Sequence, residues 1–348
     1  MSAAAACLIL RAKLRDGMVE NVEIVSPRAD PSPIFIGLAP KEAAVLAGRL
    51  FSLCPASQSI AAQAASEAAL GVAIDAASRR TRALNLLCER LGEMLRASLL
   101  DWPRDGAPAP EDVLRLRDAL RLLRALPQAP DAARMRELRA ATGALGLNAE
   151  RGENFFARQL AEARADDALW TLPSREADFL SAADDGQVRA AMSRDAAFSR
   201  APELPGRRPE TGAGARQGRG GGVAARLAAR IDDMAATVEA IEKALQGGDA
   251  PDGLLCAQGE GGQGFAAVDS ARGRLYHFLR LDGAGRIADY RIVAPTEWNF
   301  HPEGPCVHAL RGARIGAGAE ARRRVERLAF VFDPCIRAIA ELPDKSDA

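Results

Sequence analysis

Residues 331–340, VFDPCIRAIA, place Cys335 in a proline turn and an alanine, Ala338, three positions on, where a metal-binding chain would supply a second thiol. The chain has six cysteines, Cys7, Cys54, Cys88, Cys256, Cys306 and Cys335, and no two of them form a CxxC pair. Such scatter is unlike the dense disulfide framework of a small secreted domain, so reduced thiols are the expected state. His301, Cys306 and His308, in NFHPEGPCVHAL, are ligand types, but they fit no standard zinc spacing and lack a fourth donor. The favoured reading there is a rigid proline loop with surface imidazoles. His277 lies in a strand-like run and is expected to pack rather than ligate. Cys88 falls on the apolar stripe of Leu84, Leu87, Leu91 and Leu95 and is expected in the core.

The elements that must position these residues follow from periodicity. Leu8, Leu10, Ala12 and Leu14 alternate, Asp16-Gly17 supplies a turn, and Val22 and Ile24 resume the alternation, which predicts a β-hairpin. Pro40 to Leu53 reads as a helix ending at Cys54-Pro55, and Ser57 to about Leu100 as a long alanine- and leucine-rich helix with a break at Gly71. DWPRDGAPAPED stops it, Val113 to Leu126 makes another amphipathic helix, and residues 131–200 continue mostly helical. Residues 201–222 are rich in Gly, Pro and Arg with almost nothing to bury, so a flexible connection is expected. Val223 to Leu245 is again helical. Two strand-like runs in residues 272–293 flank a turn at Asp282 to Gly285 as a second hairpin, an irregular loop follows with Trp298 and Asn299 as its anchor, and an arginine-rich helix leads into Cys335. The expected fold class is α+β, mostly α: one domain made of residues 1–200 and 223–348 joined by the 201–222 linker.

Composition limits the partners. Among 348 residues, 48% hydrophobic and 26% charged, 46 Lys and Arg balance 46 Asp and Glu, so no net field draws the chain to nucleic acid or an anionic membrane. The Arg/Gly-rich linker has no aromatic residue to stack on bases, which argues further against nucleic acid. No apolar run approaches the ~20 residues of a membrane span. The start, MSAAAACLILRAKLRDG, lacks the basic and apolar regions of a signal peptide, so a cytoplasmic location is expected. The triplet Arg322 to Arg324 reads as a solvated face, with partner docking as the alternative.

Four separated segments together resemble the large subunit of nickel-iron hydrogenases. RLFSLCPASQS, Arg49 to Ser59, resembles that family's RxCGxC segment and its following histidine. GQGFAAVDSARGRLYHF resembles the glycine-rich EAPRG segment, PTEWNFHPEGP the PTxWN segment, and FDPCIRA the DPCxxC terminus. The resemblance implies a large-subunit-like fold. It also exposes losses: Phe51 and Ala338 stand where two of the four metal-binding thiols belong, leaving Cys54 and Cys335. Gln58 and Glu341 stand at the two histidine positions, Arg11 at the proton-relaying glutamate, and no comparable processed tail follows.

Resemblance combined with loss, and the forms RLFSLCPASQ, LLDWP and WNFHPEGP, is similar to the HupK-type hydrogenase expression and formation proteins. That implies a non-catalytic maturation factor helping to assemble or transfer the iron part of the cofactor, with cyanide and carbonyl ligands, nickel being less favoured. Its implied partners are small maturation chaperones, with the hydrogenase large subunit as a further candidate. Thiolate is a soft ligand, so Cys54 and Cys335 are the expected metal ligands, against the alternatives of inert buried thiols or a redox disulfide. Arg272 matches the arginine over the metals in the catalytic family, where it would hydrogen-bond a bound cyanide; an ordinary ion pair with Asp269 is the equal alternative. Arg49 is a second candidate of this kind, or a helix-end cation. A divergent large subunit that reacts with hydrogen, and a metal-free docking partner, are the other two readings.

Overall fold

The computed structural model describes residues 7–148 and 153–342. The MSAAAA start, residues 149–152 of the stretch expected to be mostly helical, and residues 343–348 lie outside the described residues. The alternating start forms β1 (Leu8–Arg15) and β2 (Met18–Val25), an antiparallel hairpin turned at Asp16 and Gly17, both at positive φ. Leu8, Leu10 and Ala12 face the core, as a period of two requires. Strand β7 (Ala338–Glu341) pairs parallel to β1, giving a three-stranded sheet in the order β2-β1-β7 and carrying the Cys335 segment back to the N-terminal hairpin.

Helices α1 (Pro40–Leu50), α2 (Pro55–Leu70) and α3 (Ala76–Leu100) follow, with the expected break at Gly71. The stripe on α3 is fully used: Leu84, Leu87, Cys88, Leu91 and Leu95 are all buried, each large side chain being worth about 1.5–3 kcal/mol. Then come α4 (Pro110–Ala125), α5 (Ala132–Leu145), α6 (Phe155–Asp167) and α7 (Asp185–Arg194), with an irregular stretch between the last two. After α8 (Ala213–Arg216), α9 (Val223–Leu245) has the bounds its periodicity predicts.

The second hairpin is half of a larger sheet. β3 (Leu255–Glu260), β4 (Gln263–Ser270), β5 (Gly273–Leu281) and β6 (Ile287–Val293) form a four-stranded antiparallel meander. Helix α2 lies directly on it, and small residues explain the closeness. Ala61, Ala62, Ala64 and Ala65 are fully buried, and a Cβ on Gly264 would come 1.8 Å from the Ala65 carbonyl oxygen. The loop expected around Trp298 contains two short helices, α10 (Pro295–Asn299) and α11 (Pro305–Leu310), before α12 (Gly318–Val331).

Residues 201–222 differ from the expectation of a segment with almost nothing to bury. Glu210 and Thr211 are buried, and Glu210 pairs with buried Arg226 at 2.8 Å. Arg216 reaches inward to Asp233 and Asp269, both at 2.8 Å, and donates to the carbonyls of Ser270 and Ala271 at 3.1 Å. Composition misleads here because this segment is fixed by ion pairs and backbone groups rather than by apolar side chains.

Candidate functional site

Cys54 caps the N-terminus of α2, where Pro55 is preset for a first helical turn. That turn is closed from a neighbouring helix: Glu89 of α3 accepts from the backbone N–H of Ala56 (2.5 Å) and Ser57 (2.8 Å) and from the Ser57 hydroxyl (2.5 Å). Behind the sulfur runs a neutral chain of hydrogen bonds. Gln58 Nε2 donates to Cys54 Sγ at 3.9 Å, its Oε1 accepts from His277 Nε2 at 2.8 Å, and His277 Nδ1 accepts from the Tyr290 hydroxyl at 2.7 Å. Burial pushes the His277 pKa down to about 3, so the ring is neutral, and pushes the Cys54 thiol up to about 12 although the Arg272 guanidinium opposes it.

Cys335 sits on the turn between α12 and β7, half-buried. Asp333, at φ 55, makes the left-handed step that turns the chain. Its carboxylate pairs with buried Arg230 at 2.6 Å, the Phe332 carbonyl accepts from Asn299 at 2.8 Å, and the Cys335 N–H donates to the Thr296 hydroxyl at 3.3 Å. Asn299 therefore ties three segments, since it also donates to the Thr211 carbonyl and accepts from the Thr211 N–H, each at 2.9 Å.

The structure brings Cys54, Cys335 and Arg272 into one electrostatic cluster. Burial opposes the Arg272 charge, but Asp333, Cys54, Glu93 and Cys335 outweigh it and raise its pKa. Of the two alternatives for Arg272, an ion pair forms, but with Glu93 at 3.2 Å rather than Asp269, whose carboxylate Arg216 and Arg90 occupy; Arg272 also donates Nε to the Pro334 carbonyl at 3.4 Å. Its Nη1 is buried with no hydrogen-bond partner among the described residues, a free donor of the kind that suits an anionic diatomic ligand. Gly273, at φ 123, allows this turn, and a Cβ there would come 2.3 Å from the Thr211 hydroxyl.

Arg49 does not join them: it is exposed in the last turn of α1 and lines neither cavity, the placement of a helix-end cation. Arg11 and Glu341 face each other across β1 and β7 as an exposed pair at 2.7 Å. Cys306 is fully buried, His301 accepts from the Glu303 N–H, and His308 faces Glu303, so these three form no ligand set. Trp298 is buried, as its role of anchor requires.

Sequence reasoning missed Arg28, in the proline-rich loop after β2. Burial opposes its charge, but Glu297, Cys335 and Cys54 outweigh it and raise its pKa; it pairs with Glu297 at 2.8 Å. Nothing local in SPRADPSP signals that contact. Two cavities flank the cluster: a cleft of about 700 Å³ lined in part by Leu53, Arg272 and Cys335, and one of about 460 Å³ lined in part by Arg28, Phe51 and Thr296. Among the described residues no group of three or more His, Cys, Asp or Glu side chains could hold a metal ion.

The class is defined by the fold. The structure matches the reduced Ni-Fe-Se hydrogenase of D. vulgaris Hildenborough with a TM-score of 0.67 and 15% identity, covering 93% of this chain and 94% of that one. Ni-Fe-Se hydrogenase from Desulfomicrobium baculatum matches with a TM-score of 0.66 and 15% identity, over 93% and 95% of the two chains. Residues 210–339 match the nickel-dependent hydrogenase family. This is a hydrogenase large-subunit-like fold, α+β and mostly helical. Across 90% of each chain it is 38% identical to the hydrogenase expression/formation protein HupK of Rhizobium leguminosarum bv. viciae, and 34% identical to HupK of Bradyrhizobium diazoefficiens. The chain belongs to the HupK family of hydrogenase expression/formation proteins. No helix among the described residues is long and apolar enough to cross a membrane.

Proposed function

We propose that this protein is a non-catalytic, cytoplasmic scaffold of hydrogenase maturation that holds an iron fragment bearing cyanide and carbonyl ligands as cargo between Cys54 and Cys335. The observation that carries the reading is the convergence of two thiols from distant segments on buried Arg272, whose Nη1 has no partner. Thiolates are suited to low-valent iron, and the guanidinium would donate to a cyanide nitrogen. Cys54, set at the start of a docked helix, supplies a fixed ligand. Cys335, at the cleft, supplies the accessible one. With Phe51 and Ala338 at the other two thiol positions, the ligand set is short, which favours release to a small maturation chaperone or the hydrogenase large subunit.

The alternative reading is a metal-free docking partner, for which the cleft of about 700 Å³ beside Cys335 offers a surface. The test is complementation of a deletion strain. A scaffold loses hydrogenase restoration when Cys54→Ser is combined with Cys335→Ser, whereas a docking partner tolerates both changes. Hydrogen-dependent dye reduction by the purified protein with stoichiometric nickel would overturn both readings in favour of an enzyme.

A further inference from the structure

The triplet Arg322 to Arg324 separates in the structure. Arg324 is buried against Asp166 at 3.1 Å, and Arg323 pairs with Asp105 at 2.9 Å. Arg322 is exposed, makes no ion pair among the described residues, and lines the same cleft as Cys335. Arg337, two residues beyond Cys335, is also exposed, lines the cleft and makes no ion pair among the described residues. Arg104 lines it too; its guanidinium donates to the carbonyls of Ser98 (3.1 Å) and Leu99 (2.5 Å), and among the described residues no carboxylate pairs with it.

The lining holds six arginines against three carboxylates; Arg96, Arg272 and Arg323 have carboxylate partners in Asp101 (3.0 Å), Glu93 (3.2 Å) and Asp105 (2.9 Å), and Asp333 is taken by Arg230 at 2.6 Å, so Arg104, Arg322 and Arg337 are the lining cations with no ion pair among the described residues. The chain as a whole balances 46 cations with 46 anions, so the excess is a local arrangement. At about 700 Å³ the cleft is far larger than a metal ion with diatomic ligands requires, and its lip includes Leu100, 53% exposed. A peptide segment fits these dimensions and this mix of cationic and apolar surface.

We propose that the cleft beside Cys335 receives an acidic segment of a partner protein, carrying leucine-like side chains between its carboxylates. This rests on the scaffold reading, since it puts the partner at the accessible thiol. Unpaired Arg322 and Arg337 attract the segment and fix its register, while apolar side chains cover Leu100 and Ile336.

The test uses the full chain and a fluorescein-labelled peptide of Glu, Asp and Leu, read by anisotropy. Wild type binds at low salt, and binding weakens as salt rises. Combining Arg322→Glu with Arg337→Glu weakens it roughly tenfold or more. Arg121→Glu with Arg124→Glu, equally exposed but outside the cleft, changes it less than about twofold. Unchanged urea midpoints show that these variants fold. Equal binding by the cleft variant and wild type, equal loss in the control pair, or tighter binding of a single-stranded oligonucleotide would overturn the proposal. Cys335→Ser separates the two ideas: it docks the peptide normally if the cleft is the site, whatever becomes of the iron. Loss of docking in the charge variants alongside intact iron binding in wild type is the pattern expected when both hold.

Discussion

Cys54 stands at the start of a helix and Cys335 on a turn, and the two are held by different kinds of force. The first belongs to α2, sixteen residues seated on the sheet through buried alanines and Gly264, with Glu89 closing its first turn. The second hangs on side-chain ties: Asp333 to Arg230, Asn299 to the Phe332 carbonyl, and Thr296 to the Cys335 N–H. Packing spreads its stabilisation over many atoms, whereas each tie is a single removable group. One thiol therefore has a rigid mount, and the other has a mount whose parts can be broken one at a time.

The largest effect is expected from Asp333→Ala, which leaves Arg230 buried and unpaired and places a non-glycine, non-Asx residue at φ 55. It should cost about 3–5 kcal/mol in urea unfolding. Asp333→Asn, which tolerates that backbone, should cost less. On the other mount, Glu89→Gln weakens the bonds to Ala56 and Ser57 and should cost about 1–2 kcal/mol. Burial is the main cause of the high Cys54 pKa, with Glu89 adding to it against Arg272, so this change should also let Cys54 alkylate at lower pH.

Acid should strain the Cys54 side through His277. Its folded pKa is depressed from 6.5 to about 3 by burial, so in that window the unfolded chain binds a proton that the folded chain does not. Stability from this group is fully present above pH 6.5 and falls by about 1.4 kcal/mol per unit as pH drops toward 3. His277→Gln should flatten that part of the stability profile. The smallest effect is expected from Arg11→Ala, since its pair with Glu341 is exposed to solvent and screened: the unfolding midpoint should not move measurably.

Much of this was legible in the chain. The first hairpin, the break at Gly71, the bounds of α9 and the burial of Cys88 follow from strict periodicity. Cys54, Cys335 and Arg272 came from motifs; Arg272 and Cys335 line one cleft, and both thiols act on the Arg272 charge. Arg49 stood in one of those motifs yet lies exposed, because a motif does not say which way a helix-end side chain faces. Strands β3 and β4 were not legible, because the glycines around GQGF serve two purposes: Gly262, at φ 76, makes the turn between the strands, while Gly264 lies inside β4 and admits helix α2. Arg28 and Arg216 were hidden for a different reason: both gain partners far along the chain from segments whose local composition signals only loop. Ion pairs of that kind have no period.

Infrared spectroscopy on protein purified anaerobically with its maturation partners, comparing wild type with Cys335→Ser, tests most directly whether Cys54 and Cys335 hold an iron fragment. Cyanide and carbonyl stretches in wild type that vanish in the variant are the expected result. The absence of those bands, and of iron, from the wild-type protein would contradict it and leave a metal-free docking partner.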